Sequence, residues 1–391
     1  MPTGTAIAEV EALVLRAPTA DPADLDSSSE TVVVRLTDEQ GRQGIGEADA
    51  VAAAVRELVL MDDLHGWSRG LGGMLVGRDP FPIRALRDEL YASTIYHGRR
   101  GLGVHALSAV DIALHDLVGR QLGRPVLDLL GGPAHDACTP YATLWQGGVG
   151  ERTLAQLMDA TAELAERALA LGFRAVKMEV IWGARVSDRE LVACVRETRR
   201  QLGDQVTLLV DFGYRWSDWR EALWTLSRLD DADVYLAEAT LRHDDLVGHR
   251  KLAGRVATRI GGAEMAATVH ECREWLREGG VDVLQPDVGR CGGLTELRRI
   301  AELAELEGAR VVPHGGKTGI TAAASRHFQA ATPNAPCFEL LHPDLFDSPL
   351  RRELVSPEPE VRPDGTIALP DAPGLGVELV EDAVARYLVE R

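Results

Sequence analysis

The chain is nearly without lysine. Of its 42 basic residues only Lys177, Lys251 and Lys317 are lysine, and the rest are arginine. Arginine cannot release its proton, so a lysine in such a chain points to a position that uses ammonium chemistry. Positive charge as a whole is in deficit: 60 acidic residues leave a formal net charge of −18. That balance excludes nucleic acid and an anionic membrane surface as partners, since both require a basic face. Cysteine is scarce as well. The five, at 138, 194, 272, 291 and 337, form no CxxC pair. Neither a zinc cluster nor a disulfide framework is expected, and reduced thiols in the cytoplasm are. No run of about 18 apolar residues is present, so no transmembrane helix is expected. The opening stretch MPTGTAIAEV lacks a basic segment followed by an apolar core, so no secretory leader is expected either.

What is present is an ordinary globular composition, 45% hydrophobic and 26% charged, over 391 residues. That length suits two domains, or one large α/β barrel with an appendage. The first third reads as strands followed by helices. Thr31–Thr37, a polar turn at 38–41 and Gln43–Glu47 predict a meander. Apolar residues at helical spacing predict helices from Pro82 to Leu90 and from Val104 to Val118, and Gly131-Gly132-Pro133 ends the block. After it, short β-rich runs recur, each followed by a helical stretch. They lie at 138–144, 172–179, 205–211, 233–238, 257–264, 281–287, 309–314 and 335–340. Repeated βα alternation on this scale predicts a closed parallel barrel, with an open doubly wound sheet as the alternative. No GxGxxG follows the first strand of the series, which disfavours a dinucleotide site. Residues 356–391 abandon the pattern. They are rich in proline and glycine turns, with a helix near 380–390, and are expected to leave the barrel and pack on the N-terminal region.

Successive runs end in titratable residues: Lys177, Asp211, Glu238, Glu264, Asp287, His314 and Glu339, each about one βα unit from the last. A parallel barrel gathers all its strand C-termini at one face, so these side chains are expected to converge there. Asp211, Glu238 and Glu264 would crowd three negative charges, which is costly unless a cation intervenes. Oxygen-only ligands suit Mg2+, with Mn2+ able to substitute. Asp287 beside His314 would orient the imidazole as a general base. Lys177, across the mouth, would hold a carboxylate or act as a base if desolvated. A dication, an ammonium and a strong base together fit removal of the proton α to a carboxylate, because the developing charge is stabilised electrostatically.

The same positions carry a family likeness. They fall in Leu171-Gly-Phe-Arg-Ala-Val-Lys177, Leu209-Val-Asp211 with Trp216, and Glu238 with Asp244-Asp245-Leu246. Ile260-Gly-Gly-Ala-Glu264, Gln285-Pro-Asp287 with Gly292-Gly293, Val312-Pro-His314 and Pro373-Gly-Leu-Gly376 follow in order, and Tyr96 to Asp116 precedes them. Over nearly its full length the chain resembles the mandelate racemase subgroup of the enolase superfamily. The resemblance implies an α/β fold: a modified (β/α)7β barrel over 135–355 and an α+β capping domain, 1–134 completed by 356–391. It implies Mg2+ on Asp211, Glu238 and Glu264, a His314–Asp287 dyad, and Glu339 as a partner to the substrate carboxylate. It also implies that loops near 17–30 and 48–65 close over the site and select the substrate, and that the protein is a homo-oligomer.

Three positions depart from the subgroup pattern. Lys-x-Lys is here Lys177-Met178-Glu179, an Asn is Gly213, and the Pro after the second acid is replaced in Ala239-Thr240. Racemisation needs a base on each face of the substrate carbon, so loss of the second lysine favours a dehydratase. There one imidazole removes the α-proton and then protonates the departing β-hydroxyl. The expectation is an Mg2+-dependent dehydratase of a small sugar acid, giving a 2-keto-3-deoxy acid. The alternatives are a racemase or epimerase of a hydroxy or amino acid, and a ligand-binding relative with reduced catalysis. His65, His97, Arg99 and Arg100 are candidates to read substrate hydroxyls or a distal acid, and Lys317 is expected to be a solvent-facing loop residue.

Overall fold

The computed structural model describes residues 4–18, 29–147, 150 and 152–389. An antiparallel sheet of β1 (Ile7–Arg16), β2 (Glu30–Asp38) and β3 (Gln43–Ala48) comes first. The meander expected at 31–47 is β2 and β3; β1 adds a strand that the sequence pattern did not single out. Three helices follow, α1 (Ala52–Leu60), α2 (Ile83–Ser93) and α3 (Leu102–Leu122). Half of the segment 48–65, expected to be a loop, is helix α1. Of the loop expected at 17–30, residues 19–28 lie outside the described residues.

Helix α3 is apolar nearly all round, a pattern shared by membrane spans and core helices. Its surroundings decide between them: 89% of its most apolar stretch is buried inside the protein. One side packs on β3. There Gly46 approaches so closely that an added Cβ would lie 2.0 Å from the Ala109 carbonyl oxygen, and one on Gly44 would lie 2.4 Å from that of Ala113. With the two glycines turned to α3, the two-residue period of a strand turns Ile45 and Glu47 to the opposite side. Ile45 accordingly joins the hydrophobic cluster of the barrel.

Eight parallel strands form the second sheet: β4 (Pro140–Leu144), β5 (Ala175–Glu179), β6 (Thr207–Asp211), β7 (Val234–Glu238), β8 (Arg259–Gly262), β9 (Val283–Leu284), β10 (Arg310–Val311) and β11 (Phe338–Leu340). They neighbour one another in sequence order from β4 to β10, with β11 beside β4. The two edges meet, since the Glu339 amide on β11 donates to the Pro313 carbonyl beyond β10 at 3.2 Å. Each strand falls within one of the eight expected runs, and the sequential order excludes the doubly wound alternative. The interior is filled, not hollow. Tyr141, Ala175, Leu209, Leu236 and Val283, from five strands, form a buried apolar layer with Val312 and Cys337, which adjoin β10 and β11.

The C-terminal tail ties the two sheets together. Ile367 bridges to Cys138, Gly374 to Pro125 and Leu388 to Leu15. The helix expected near 380–390 is Glu381–Tyr387, and its Glu381 reaches Arg35 of β2 at 3.2 Å.

Candidate active site

Strand register brings the site together. Glu179 of β5 pairs with Asp211 of β6, and Asp211 with Glu238 of β7, so three successive strands end level at one mouth. Glu264 lies two residues beyond β8. Asp287 and His314, each three residues beyond its strand, still continue the parallel ladder through a bridge of their own. Backbones leave the mouth in tight turns, with Tyr214, Ala239 and Ala263 at positive φ of 58°, 47° and 81°. Such conformations are sparsely populated for residues other than glycine and gather at functional sites.

Lys177 occupies the centre, 1% exposed. Its Nζ lies 2.8 Å from Glu339 Oε1, 3.0 Å from Glu238 Oε1 and 3.8 Å from Asp211 Oδ2. Burial alone would strip its proton, but Glu238 and Glu339 outweigh that and hold it well above the usual lysine range. Lys177 is therefore a fixed ammonium. Of the two uses open to it in the sequence, holding carboxylates fits this geometry and acting as a base does not. Glu339 is drawn down to about 2 in spite of burial, by Lys177 and His314. It also accepts from the Thr143 hydroxyl and, at 3.1 Å, from the Gly315 amide. Glu238 goes the other way. Burial, then the fields of Asp211 and Glu339, push it up to about 8 against the pull of Lys177, and Gln285 donates to its free oxygen at 2.6 Å.

His314 and Asp287 form a dyad. Nδ1 lies 2.7 Å from Asp287 Oδ2, while Asp287 Oδ1 accepts from the Gly289 amide at 2.6 Å. This contact makes Nδ1 the donor, so the ring presents Nε2 to the mouth, 3.6 Å from Glu264 Oε2. Burial would lower the imidazole pKa, but the bond to Asp287 and then the charge of Glu264 raise it to about 10.

Three carboxylates on neighbouring strands, with no nitrogen or sulfur among them, are a donor set for a hard dication. The electrostatics of the mouth agree. Asp211 is raised by burial and by Glu264, and Glu238 by burial and its acidic neighbours, so both acids resist ionising at the mouth unless a cation beyond Lys177 joins them. As the side chains stand, the Lys177 ammonium rests on Glu238 and the Tyr214 hydroxyl on Glu264. Among the described residues, a trio whose ligand atoms lie within 4.8 Å of one another is Asp49, Asp287 and His314. That trio is a charge cluster closed by protein cations, since Asp49 is paired with Arg290 and, at 3.2 Å, with Lys317.

Asp49, Arg290, Tyr214, Gln285 and Thr143 were not singled out from the sequence. Gln285 stood within a motif; the others carry no spacing signal, because their partners are distant in the chain. Lys317 is a correction. It is 5% exposed, paired with Asp49 and bonded to the Glu30 carbonyl at 3.1 Å, so it is not a solvent-facing residue. The cap residues proposed as substrate readers are partly engaged elsewhere. Arg99 lies over the Tyr91 ring, Arg100 pairs with Glu274 at 3.4 Å, and His65 meets the Tyr96 ring edge-on. His97 is buried with neither ring nitrogen bonded.

A filled parallel barrel under an antiparallel cap, with acid, base and ammonium at the strand C-termini, defines an enolase-type enzyme. Residues 160–383 match the enolase C-terminal domain-like family, and residues 7–131 the mandelate racemase / muconate lactonizing enzyme N-terminal domain. The chain belongs to the mandelate racemase / muconate lactonizing enzyme family of the enolase superfamily. It is 31% identical to a D-galactarolactone cycloisomerase from Agrobacterium fabrum, over 87% of this chain and 92% of that protein. With an L-rhamnonate dehydratase from Saccharopolyspora erythraea it shares 32% identity, over 89% of this chain and 83% of that protein. A racemase from Streptomyces coelicolor, solved with bound magnesium, is 30% identical with a TM-score of 0.82, covering 98% of this chain and 100% of that one.

Proposed function

We propose that the protein is an Mg2+-dependent dehydratase of a sugar acid, in which His314 is the base. The observation that carries this reading is the asymmetry of the mouth. One imidazole, oriented by Asp287, offers Nε2 to the site, while Lys177 is committed as an ammonium between Glu238 and Glu339. Glu179 stands where a second lysine would supply a base on the opposite face, and burial pushes its carboxyl well above the usual range. A neutral acid there accepts no proton from carbon. One base on one face suits elimination.

In this mechanism His314 Nε2 takes the proton α to the carboxylate, and the C–H electron pair moves toward the carboxylate carbon. The imidazolium then returns that proton to the β-hydroxyl as its C–O bond breaks, releasing water and an enol that becomes the 2-keto-3-deoxy acid. The Lys177 ammonium, held in place by Glu339, positions and polarises the carboxylate end, and Asp287 keeps His314 in the tautomer that leaves Nε2 free. Asp211, Glu238 and Glu264 are the residues that would hold Mg2+, which, when bound, would supply charge to the carboxylate oxygens and offset the part of the raised imidazole pKa that comes from Glu264. The sugar-acid class is supported by relatives named for gluconate, rhamnonate and arabinonate.

The test is incubation with a panel of aldonates, aldarates and their lactones in D2O with Mg2+, read by NMR. A 2-keto acid formed with loss of water supports the reading. Deuterium at an otherwise unchanged α-carbon would move the protein to the racemases, and consumption of lactones alone to the cycloisomerases.

A further inference from the structure

His314 sits in the connection Pro313–Thr318, between a two-residue strand and the helix Gly319–Ala331. Its own strand gives that connection little support, yet a base must be held within a fraction of an ångström to act. The support comes from the other sheet. Beyond the two glycines that press β3 on α3, Glu47 and Asp49 project two residues apart toward this connection. Both are almost fully buried.

Glu47 caps the helix that follows the base. Its Oε2 accepts from the Thr318 hydroxyl at 2.8 Å, the Thr321 hydroxyl at 3.1 Å and the amides of both at 3.3 Å. Its Oε1 accepts from Thr31 at 2.6 Å, so the carboxylate is fully engaged at a helix N-terminus, where the backbone dipole favours an anion. Asp49 grips the other end. It pairs with Lys317 at 3.2 Å and with Arg290, its amide donates to the Gly289 carbonyl at 3.3 Å, and it lies within 4.8 Å of the His314–Asp287 pair. Behind these residues β3 cannot give way. An Asp116 oxygen accepts from the Ile45 amide at 2.9 Å, and the Gly46 contact leaves no room for displacement.

We infer that Glu47 of β3 and Asp49 just beyond it are positioning residues for the base: they latch the His314-bearing connection from outside the barrel. The catalytic half of this inference rests on His314 as the base; the latch itself does not. The Glu47 contacts touch none of Lys177, Asp211, Glu238, Glu264 or the dyad, so that half of the latch can be broken without altering the reacting groups, whereas Asp49 stands within 4.8 Å of the dyad.

The test compares wild type with Glu47→Gln, Asp49→Asn and the milder Thr321→Val, which removes one donor to Glu47 and keeps the charge. Hydrogen exchange by mass spectrometry is followed over 312–322 and, as a reference, over β5–β7. The expected result is at least about tenfold faster exchange in 312–322, with the reference strands unchanged. On whichever sugar acid the wild type turns over, kcat is expected to fall by about 10- to 100-fold with KM within about twofold, since substrate-binding groups are intact. Unchanged exchange in 312–322 of a folded variant overturns the latch. Faster exchange with unaltered kcat overturns the positioning role. If wild type turns over none of the acids, the proposed function fails while the exchange arm still decides the latch.

Discussion

Replacing Lys177 by methionine isolates the charge at the centre of the mouth, because the side chain keeps its bulk and loses only its ammonium. Nζ makes contacts of 2.8 and 3.0 Å with Glu339 and Glu238, and every group involved is almost fully buried. Removing one member of a buried ion cluster costs about 3–5 kcal/mol, against about 0–1 kcal/mol for a solvated surface pair. Two carboxylates lose their direct partner here, so the upper end of the first range is expected near pH 8.5, an alkaline choice set by the raised Glu238 carboxyl. The acids can relieve the penalty by taking up protons. Glu238 already titrates near 8, and without the ammonium it rises further above its unfolded value. The folded state then binds more protons than the unfolded one, so stability falls as pH rises through that window. The loss relative to wild type is therefore expected to be smaller at about pH 5.5 than at about pH 8.5. Equilibrium urea unfolding with a chelator present measures it. A difference under about 1 kcal/mol at both pH values, or a penalty that grew on acidification, would refute the reasoning.

Further expectations follow from single contacts. His314→Asn should abolish turnover, and Asp287→Asn should lower kcat by about 10²- to 10⁴-fold, as steady-state assays will show. Gly46→Ala forces a Cβ to within 2.0 Å of the Ala109 carbonyl, so a loss of about 3 kcal/mol or more is expected in urea unfolding. His327 accepts from the Leu127 amide at 2.9 Å and lies 3.1 Å from the Leu375 carbonyl, a buried neutral ring that burial holds down at about 3. Its unfolded form binds a proton below about pH 6.5 and its folded form does not, so stability is intact above that pH and falls on acidification, by about 2 kcal/mol at pH 5. His327→Gln should flatten that slope; an unchanged slope between pH 5 and 6.5 would show that another group sets it.

Much of the architecture was legible in the chain because it repeats. A β-rich run followed by a helical stretch, eight times over, has few ways to bury its apolar faces other than a parallel barrel. The same repetition placed Lys177, Asp211, Glu238, Glu264, Asp287, His314 and Glu339 at one mouth, since a parallel sheet sends every strand end the same way. In strand β1 Glu9 and Glu11 alternate with Ala8, Val10 and Ala12, but the apolar run Leu13-Val14-Leu15 breaks that period, and within 48–65 the Ala-rich stretch Ala52–Leu60 folds as a helix.

Pairing across the fold was not legible. No local pattern says that Lys177 shares Glu238 and Glu339, 61 and 162 residues away, or that this sharing keeps it an ammonium. Nor does any pattern connect Glu47 to Thr318, 271 residues on, or turn Lys317 from an exposed loop residue into a buried partner of Asp49. The amino-acid order determined the elements, their direction and which residues stand at their ends, because periodicity and register are local. Protonation states, hydrogen-bond partners and the grip of one sheet on the other depend on burial and on charges brought close only when the chain closes, and those the tertiary structure decided.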